Sequence, residues 1–315
     1  MIANRVSTII PVFNRPRLLR RAVDSVLAQD HPETEIVIVD DGSADGGETL
    51  RAARAIEAQH RGKVIVLSQP NSGPGPARQH GLRAATGEFI QFLDSDDTLL
   101  PGKFTAQVQA LREDTRAGIS YGVVLDEDTR LPAHGTDIAR RTIFPAVVRG
   151  RLWNTLSPLY RRSVCDAIGP WSALRILEDW DYECRAGLLG IELHHCAQPV
   201  GVWMNGGDAH AGLAWIDNPQ AMLDRIEVYE RVMRYAVQAG VQDNAPEMRQ
   251  FARSLFWMAR EAAVHGLPKQ ACRLFELARS HALGAGIDYT LFRATARALG
   301  WQRAARLANW VGRWR

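Results

Sequence analysis

Two short apolar runs in the first hundred residues each lead directly into aspartates. Residues 36–39 (IVIV) form a continuous β-branched run, the pattern of a strand covered on both faces, and they stop at Asp40, Asp41, Gly42 and Ser43. Residues 89–93 (FIQFL) stop at Asp94, Ser95, Asp96 and Asp97. The surrounding chain has the rhythm of βα units, with strands at 6–11, 36–39, 64–67 and 89–93 and helices at 16–29, 50–60 and 77–85. In the first helix Leu18, Leu19, Ala22, Val23, Val26 and Leu27 recur at helical spacing with arginines on the other face. An open, mostly parallel sheet of this kind binds ligands at the carboxyl ends of its strands, so five carboxylates converge on one rim. Asp, Gly and Ser are also ordinary turn formers, and either cluster alone says no more than that. Two clusters brought together repel unless a cation or a donor-rich ligand joins them, and hard oxygen donors suit Mg²⁺ or Mn²⁺ with a phosphate.

Composition narrows the class. A chain of 315 residues, 46% apolar and 23% charged, holds one large domain or two modest ones. No apolar run approaches the roughly 18 to 20 residues of a membrane span, and residues 1–6 carry no signal-peptide pattern, so a cytoplasmic protein is expected. Cys165, Cys184, Cys196 and Cys272 lack C-x-x-C spacing and are read as reduced packing residues. The net charge of +3 is uneven: residues 289–315 hold six arginines and no acid, and removing them leaves a body of net −3. On that ground the body binds no nucleic acid. Arginines number 35 against 3 lysines, a bias ascribed to the coding sequence and given no chemical weight. The segment 71–78 (NSGPGPAR) contains G-x-G but lacks a third glycine and does not follow the first strand, which disfavours a dinucleotide cofactor. Arg78 there is either a phosphate contact or a solvated surface residue.

Four pieces in order, VSTIIPVFN (6–14), IVDDGS (38–43), NSGPGPAR (71–78) and GEFIQFLDSDD (87–97), resemble the pattern of family 2 glycosyltransferases with a GT-A fold. The resemblance implies a mixed, mostly parallel sheet flanked by helices. By the same resemblance Pro11 and Phe13 line a nucleoside pocket, Asp41 binds the base, expected to be uracil, and Asp94-Ser95-Asp96 is a D-x-D element. Asp94 would lie near the ribose, and Asp96 would coordinate a metal bridged to the donor diphosphate.

The resemblance continues through residues 154–171 (NTLSPLYRRSVCDAIGPW) and 177–185 (LEDWDYECR), where Asp179 is the expected catalytic base, with Glu178 and Asp181 as competitors. The chemistry agrees, since inversion at an anomeric carbon needs a carboxylate to take the proton of the attacking hydroxyl. The residues by themselves also fit an acid-rich helix N-terminus with Trp180 in the core. In residues 202–212 (VWMNGGDAHAG) His210 falls where many family members carry a His or Arg, a candidate for the metal shell or the diphosphate. His194 and His195, adjacent on a strand expected at 191–196, face opposite ways and suggest no metal.

The expected organisation is a GT-A domain at 1–216, with a nucleotide-sugar half at 1–118 and an acceptor half at 119–216, followed by an all-helical region at 217–315. Helices are expected at 219–238, 245–264, 269–283 and 289–312. The second and third resemble one tetratricopeptide-type hairpin. The last sets Leu291, Phe292, Leu299, Trp301, Leu307, Trp310, Val311 and Trp314 among its six arginines. It is either a helix docked on the preceding hairpin or a contact with an anionic membrane or a partner protein.

The function implied is inverting, metal-assisted transfer of a sugar from a nucleotide diphosphate-sugar, UDP-linked by expectation, to a saccharide or lipid-linked acceptor in surface polysaccharide or glycoconjugate synthesis. A non-catalytic nucleotide-sugar binder on the same fold is the alternative. FIQFLDSDDT (89–98) also satisfies the D-x-D-x-T pattern of haloacid-dehalogenase-like phosphohydrolases. That pattern belongs near a domain's start, and only Lys103 and Lys269 follow it to supply the lysine such chemistry needs.

Overall fold

The computed structural model describes residues 1–204, 219–281 and 287–312. These divide into two compact units: one of residues 1–143 and 151–204, the other of residues 144–150 together with the helices from 219 onward.

The first unit is built on an eight-stranded mixed sheet. Its strands are β1 (Ile2–Val12), β2 (Thr34–Asp40), β3 (Val64–Ser68), β4 (Gly87–Phe92), β5 (Thr98–Leu99), β6 (Ala117–Asp126), β7 (Leu159–Arg161) and β8 (Glu192–Trp203), in the order β3-β2-β1-β4-β7-β6-β8-β5. β1 to β4 pair parallel, as the βα rhythm requires, and β7 joins β4 antiparallel. Successive side chains of β1 face opposite layers. Val6 and Ile10 join Leu19, Ala22, Val23 and Val26 of helix α1 (Pro16–Leu27) in one core. On the other face Ile9 lies against helix α3 (Pro74–Ala84), where Gly81 leaves no room for a Cβ: one placed there would sit 2.5 Å from Ile9 Cγ2. Helix α2 (Glu48–Gln59) joins β2 to β3, α4 (Lys103–Glu113) and α5 (Arg162–Ile168) follow, and α6 (Glu178–Leu188) precedes β8. The expected strand at 191–196 extends to Trp203, because register shifts against β6 carry it past Pro199.

At the amino ends of β1, β2 and β4 one buried acid ties three segments. Glu35, 5% exposed, accepts the Thr86 backbone N–H at 2.5 Å and the Thr86 hydroxyl at 2.8 Å, as well as the Ser7 hydroxyl, whose Oγ in turn accepts the Gly87 N–H at 2.7 Å. Gly87 and Ser7 are buried and Thr86 half-buried, so the acid supplies partners that the sheet ladder does not.

The second unit contains α7 (Pro219–Gln238), α8 (Pro246–Val264), α9 (Pro268–His281), α10 (Ile287–Leu299) and α11 (Trp301–Gly312). Ala259, Ala263, Ala271, Leu274, Phe275 and Ala278 are buried where α8 and α9 pack as a hairpin. The short 3-10 turn Ala146–Arg149 groups with these helices, and Arg149 pairs with Glu247 at 3.0 Å. The helix expected at 289–312 is broken. Gly300 takes a left-handed φ of +82° and its N–H closes on Ala296 O at 3.0 Å, the geometry that ends one helix and turns the chain into the next.

Glu35→Ala would leave the buried Ser7 hydroxyl and the half-buried Thr86 N–H without their acceptor. It is expected to cost about 2–4 kcal/mol. Urea unfolding should show a lower midpoint at an unchanged slope.

Candidate functional site

β1, β2 and β4 end side by side, with Val12 opposite Asp40 and Ile9 opposite Phe92. The loops that follow therefore deliver Phe13, Asp41 and Asp94 to one edge of the sheet. Pro11 is buried opposite Val39, whereas Phe13 is 39% exposed at this rim. The first two loops are stitched together by Asn14, whose N–H donates to Ser43 Oγ at 2.9 Å while its Oδ1 accepts the Ala44 N–H at 2.7 Å.

Asp41 has a task that its motif does not advertise. It is 4% exposed; Oδ1 accepts from Gln69 Nε2 at 2.8 Å and from the Ser72 N–H at 2.9 Å, and Oδ2 accepts from the Gly73 N–H at 2.8 Å. The carboxylate fastens the 69–73 loop that launches α3. Within that helix Gly75 is needed for closeness, since a Cβ there would lie 2.2 Å from Ser172 O. The absence of a side chain lets the segment before α6 lie directly against the start of α3.

Across that contact runs Arg78. Its side chain is 3% exposed, with Nη1 on Glu178 Oε1 at 2.6 Å and Nη2 on Asp94 Oδ1 at 2.5 Å, and its guanidinium lies 4.8 Å over the Trp171 ring. The solvated alternative for Arg78 is thereby corrected. Burial disfavours its charge, but Asp94 and Glu178 overcome that and hold the guanidinium more firmly protonated than usual. Trp171 itself is stacked on Tyr182 with centroids 4.0 Å apart, and Phe92 meets both rings edge-on. Asp94 and Glu178, far apart in sequence, are thus held by one cation above an aromatic floor.

Two further arginines complete the pattern. Arg15 Nη1 pairs with Asp96 Oδ2 at 2.7 Å, and Arg151 Nη2 with Asp179 Oδ2 at 2.8 Å. Arg151 Nε also lies 3.8 Å from Glu183 Oε1. The chain's arginine bias, dismissed on composition, therefore has local consequences: Asp94, Glu178, Asp96 and Asp179 each have a guanidinium partner. Arg15 had a weak signal, directly following VSTIIPVFN, while Arg151 lies in a stretch without recognisable pattern.

The acids of the second strand end are not fully neutralised. For Asp94 burial opposes ionisation, yet Arg78 holds it below the usual carboxylate range. Burial and the Asp94 charge push Asp96 up in spite of Arg15, and burial with Asp96 and Asp94 pushes Asp97 well up, although the Met204 N–H donates to it at 3.0 Å. Residual negative potential on hard oxygens suits a divalent cation. Among the described residues no three His, Cys, Asp or Glu side chains are grouped as a ligand set. Mg²⁺ is commonly held through one or two carboxylates together with phosphate oxygens. Ser95 is buried between these acids. His210 lies outside the described residues.

Three acids open α6, as an acid-rich helix N-terminus should, and Trp180 is indeed buried. Their surroundings separate them. Asp181 is 1% exposed and paired with Arg185 at 3.0 Å, Glu178 is held by Arg78, and Asp179 keeps a 13% exposed side chain whose Oδ1 accepts the Trp180 N–H at 2.8 Å. Leu177, just before them, adopts a left-handed φ of 57°, costly for a branched residue and a mark of local constraint. His194 pairs with Asp114 at 3.5 Å, while His195 Nε2 lies 2.9 Å from Thr136 O.

The family model described as "Glycosyl transferase family 2" matches residues 7–165. An uncharacterized glycosyltransferase of Nostoc sp. is 32% identical over 174 residues, 53% of this chain and 53% of the relative. The putative glycosyltransferase EpsH of Bacillus subtilis is 34% identical over 51% of this chain and 48% of its own length. A PGL/p-HBAD biosynthesis glycosyltransferase of Mycobacterium tuberculosis is 30% identical over 59% of this chain and 70% of its own. The matches with the Nostoc and Bacillus proteins thus span about half of those relatives. Among solved structures, Staphylococcus aureus TarS 1-349 in complex with UDP aligns with a TM-score of 0.66 over 94% of this chain and 92% of that one, at 18% identity. The mannosyltransferase PcManGT of Pyrobaculum calidifontis, in complex with GDP-Man and Mn²⁺, gives 0.58 over 98% and 88%, also at 18%. The shared feature is the GT-A arrangement of the sheet and its helices.

Glu183 provides a pH test of this electrostatic arrangement. Its side chain is 3% exposed; burial, with the Asp179 charge and against Arg151, raises its pKa to about 8. An unfolded glutamate titrates near ~4.3, so between that value and about 8 the folded state keeps a proton the unfolded chain has lost, and stability falls as pH rises. Glu183→Gln should remove this dependence. The unfolding free energy of the parent relative to the variant is expected to drop by roughly 1.4 kcal/mol per pH unit inside that window, measured by urea denaturation at pH 5.5, 6.5 and 7.5.

Proposed function

The chain belongs to glycosyl transferase family 2, and from that premise we propose that it transfers a sugar from a nucleotide diphosphate-sugar to an acceptor hydroxyl with inversion. The observation that carries this reading is the Arg78 bridge, which holds Asp94 of the strand-end cluster and Glu178, the neighbour of Asp179, on one guanidinium. The bridge brings the donor-side acid Asp94 and the start of α6, which carries Asp179, to the two sides of one guanidinium. Asp179 accepts the proton of the acceptor hydroxyl as its oxygen bonds to the anomeric carbon. The bond from that carbon to the diphosphate breaks, and the diphosphate leaves with the electron pair. Arg151 fixes the direction of Asp179 Oδ2, and the Trp180 N–H fixes Oδ1.

Asp96 is the residue proposed to hold a divalent cation, Mg²⁺ or Mn²⁺, in exchange for Arg15. Such a cation, when bound, neutralises charge on the departing diphosphate. Pro11 and Phe13 are proposed to line the nucleoside pocket, Asp41 to meet the base, and Asp94 and Ser95 the ribose. Arg78 is proposed to act on the donor by positioning Asp94. UDP-sugars are the preferred donors in this reading, in keeping with the UDP bound to TarS; the GDP-Man bound to PcManGT makes a guanine nucleotide the comparison to run. The names of the relatives favour polysaccharide or glycoconjugate synthesis as the setting.

A thermal-shift panel of nucleoside diphosphates and their sugars with Mn²⁺ tests the donor site, with UDP-sugars expected to give the largest stabilisation. No shift with any nucleotide would sink the reading. Asp179→Asn is expected to lower transfer about 10²- to 10⁴-fold while leaving UDP affinity within about twofold. Asp96→Ala should remove the metal dependence of UDP binding. A parent that binds UDP-sugar yet neither transfers nor hydrolyses it would instead be a non-catalytic binder.

A further inference from the structure

Helix α11 has two faces of different character. Ala304 and Ala305 are buried against the hairpin, and Trp301 packs on Phe275 and Phe292 with centroids 5.6 and 5.9 Å apart. The opposite stripe, Arg303, Arg306, Leu307 and Trp310, falls at i, i+3, i+4 and i+7, so it is one surface. All four are exposed, Leu307 by 46% and Trp310 by 65%. Docking thus uses Ala304, Ala305 and Trp301, with Phe292 buried beneath, and leaves Arg303, Arg306, Leu307 and Trp310 outside, so the docked helix still presents part of the set that suggested a membrane contact.

A second exposed tryptophan extends the surface. Trp257 of α8, 53% exposed, has the Arg260 guanidinium 4.3 Å over its ring, and Arg260 Nη2 donates to Asn309 Oδ1 beside Trp310. Among the described residues Arg303 and Arg306 have no ion pair, and residues 289–315 contain no acid. Trp257, Leu307 and Trp310 thus stand exposed beside guanidiniums that have no acid partner among the described residues.

We propose that this face of α11 docks on the surface of an anionic lipid bilayer, with Trp310 and Leu307 at headgroup depth and Arg303 and Arg306 on lipid phosphates. Charge complementarity selects this occupant. The stripe is purely cationic and a bilayer surface carrying anionic lipid is its complement, while the two exposed indoles are the anchors that a bilayer interface accepts. A polyanion such as nucleic acid would meet the arginines but leave Leu307 and Trp310 in water. The proposal is independent of the glycosyl-transfer reading and stands or falls without any donor or acceptor.

The test is co-sedimentation of the full chain with phosphatidylcholine vesicles, with and without 30 mol% phosphatidylglycerol (~30% is a convenient anionic fraction). The parent is expected to bind only the anionic vesicles and to be released as salt shortens the Debye length. Partitioning should fall on the order of fivefold per positive charge removed in Arg303→Gln and Arg306→Gln, and several-fold in Trp310→Ala. These side chains are exposed, so circular dichroism melting should be unchanged. Should a variant melt early, the dependence of the parent on lipid charge and salt decides alone. Equal binding to neutral vesicles, no binding to either, or full binding by all three variants would overturn the proposal. So would a stable dimer that Trp310→Ala dissolves without any vesicle binding, or a short DNA duplex bound through Arg303 and Arg306 with Trp310→Ala indifferent.

Discussion

Burying a guanidinium costs several kcal/mol unless its charge is met, and Asp94 and Glu178 meet that of Arg78 from two sides. Neither acid could keep its own position as cheaply alone. The three charges sit on a stacked Trp171–Tyr182 pair, whose ring face adds cation–π attraction and excludes water. From this arrangement follow the approach of α3 to α6 and the need for a residue without Cβ at Gly75. A strand end near residue 94 and a helix start near residue 178 become one site because a positive charge was placed between them.

The βα rhythm was legible because strand and helix periods are written in the apolar residues themselves. β2 and β4 lie where apolar runs ended in aspartates, and of the six α1 residues its spacing names Leu19, Ala22, Val23 and Val26 are buried while Leu18 and Leu27 are half-buried. Element ends were less legible. α3 starts three residues early, at Pro74, since Pro is tolerated in a first turn, and β8 outruns its expected end because bulges accommodate Pro199. The acids of the candidate site could be read from their motifs, but their partners could not. Whether Arg15 meets Asp96 or Arg151 meets Asp179 depends on tertiary approach, which no local pattern encodes. For the same reason Arg78 read equally well as a surface residue.

The C-terminal helices show a related ambiguity. An amphipathic pattern says that a helix has an apolar side, not how much of that side another helix will take. Here the left-handed turn at Gly300 redirects the chain and seats Ala304 and Ala305 against the hairpin. Alanines allow close helix approach but bury little area, so Leu307 and Trp310 remain on the outside while Trp301 packs inward on Phe275 and Phe292.

Asp41 carries a consequence for how such a chain diverges. Its carboxylate secures the backbone of Ser72 and Gly73 and the side chain of Gln69, so it is a fastener of the loop before it is a contact for any base. Replacing it to suit a different nucleotide would also release the start of α3 and, through it, the seat of Arg78. If Asp41 also meets a ligand, its preference there is tied to the architecture it holds, whereas Phe13, exposed at the same rim, can change without breaking these hydrogen bonds.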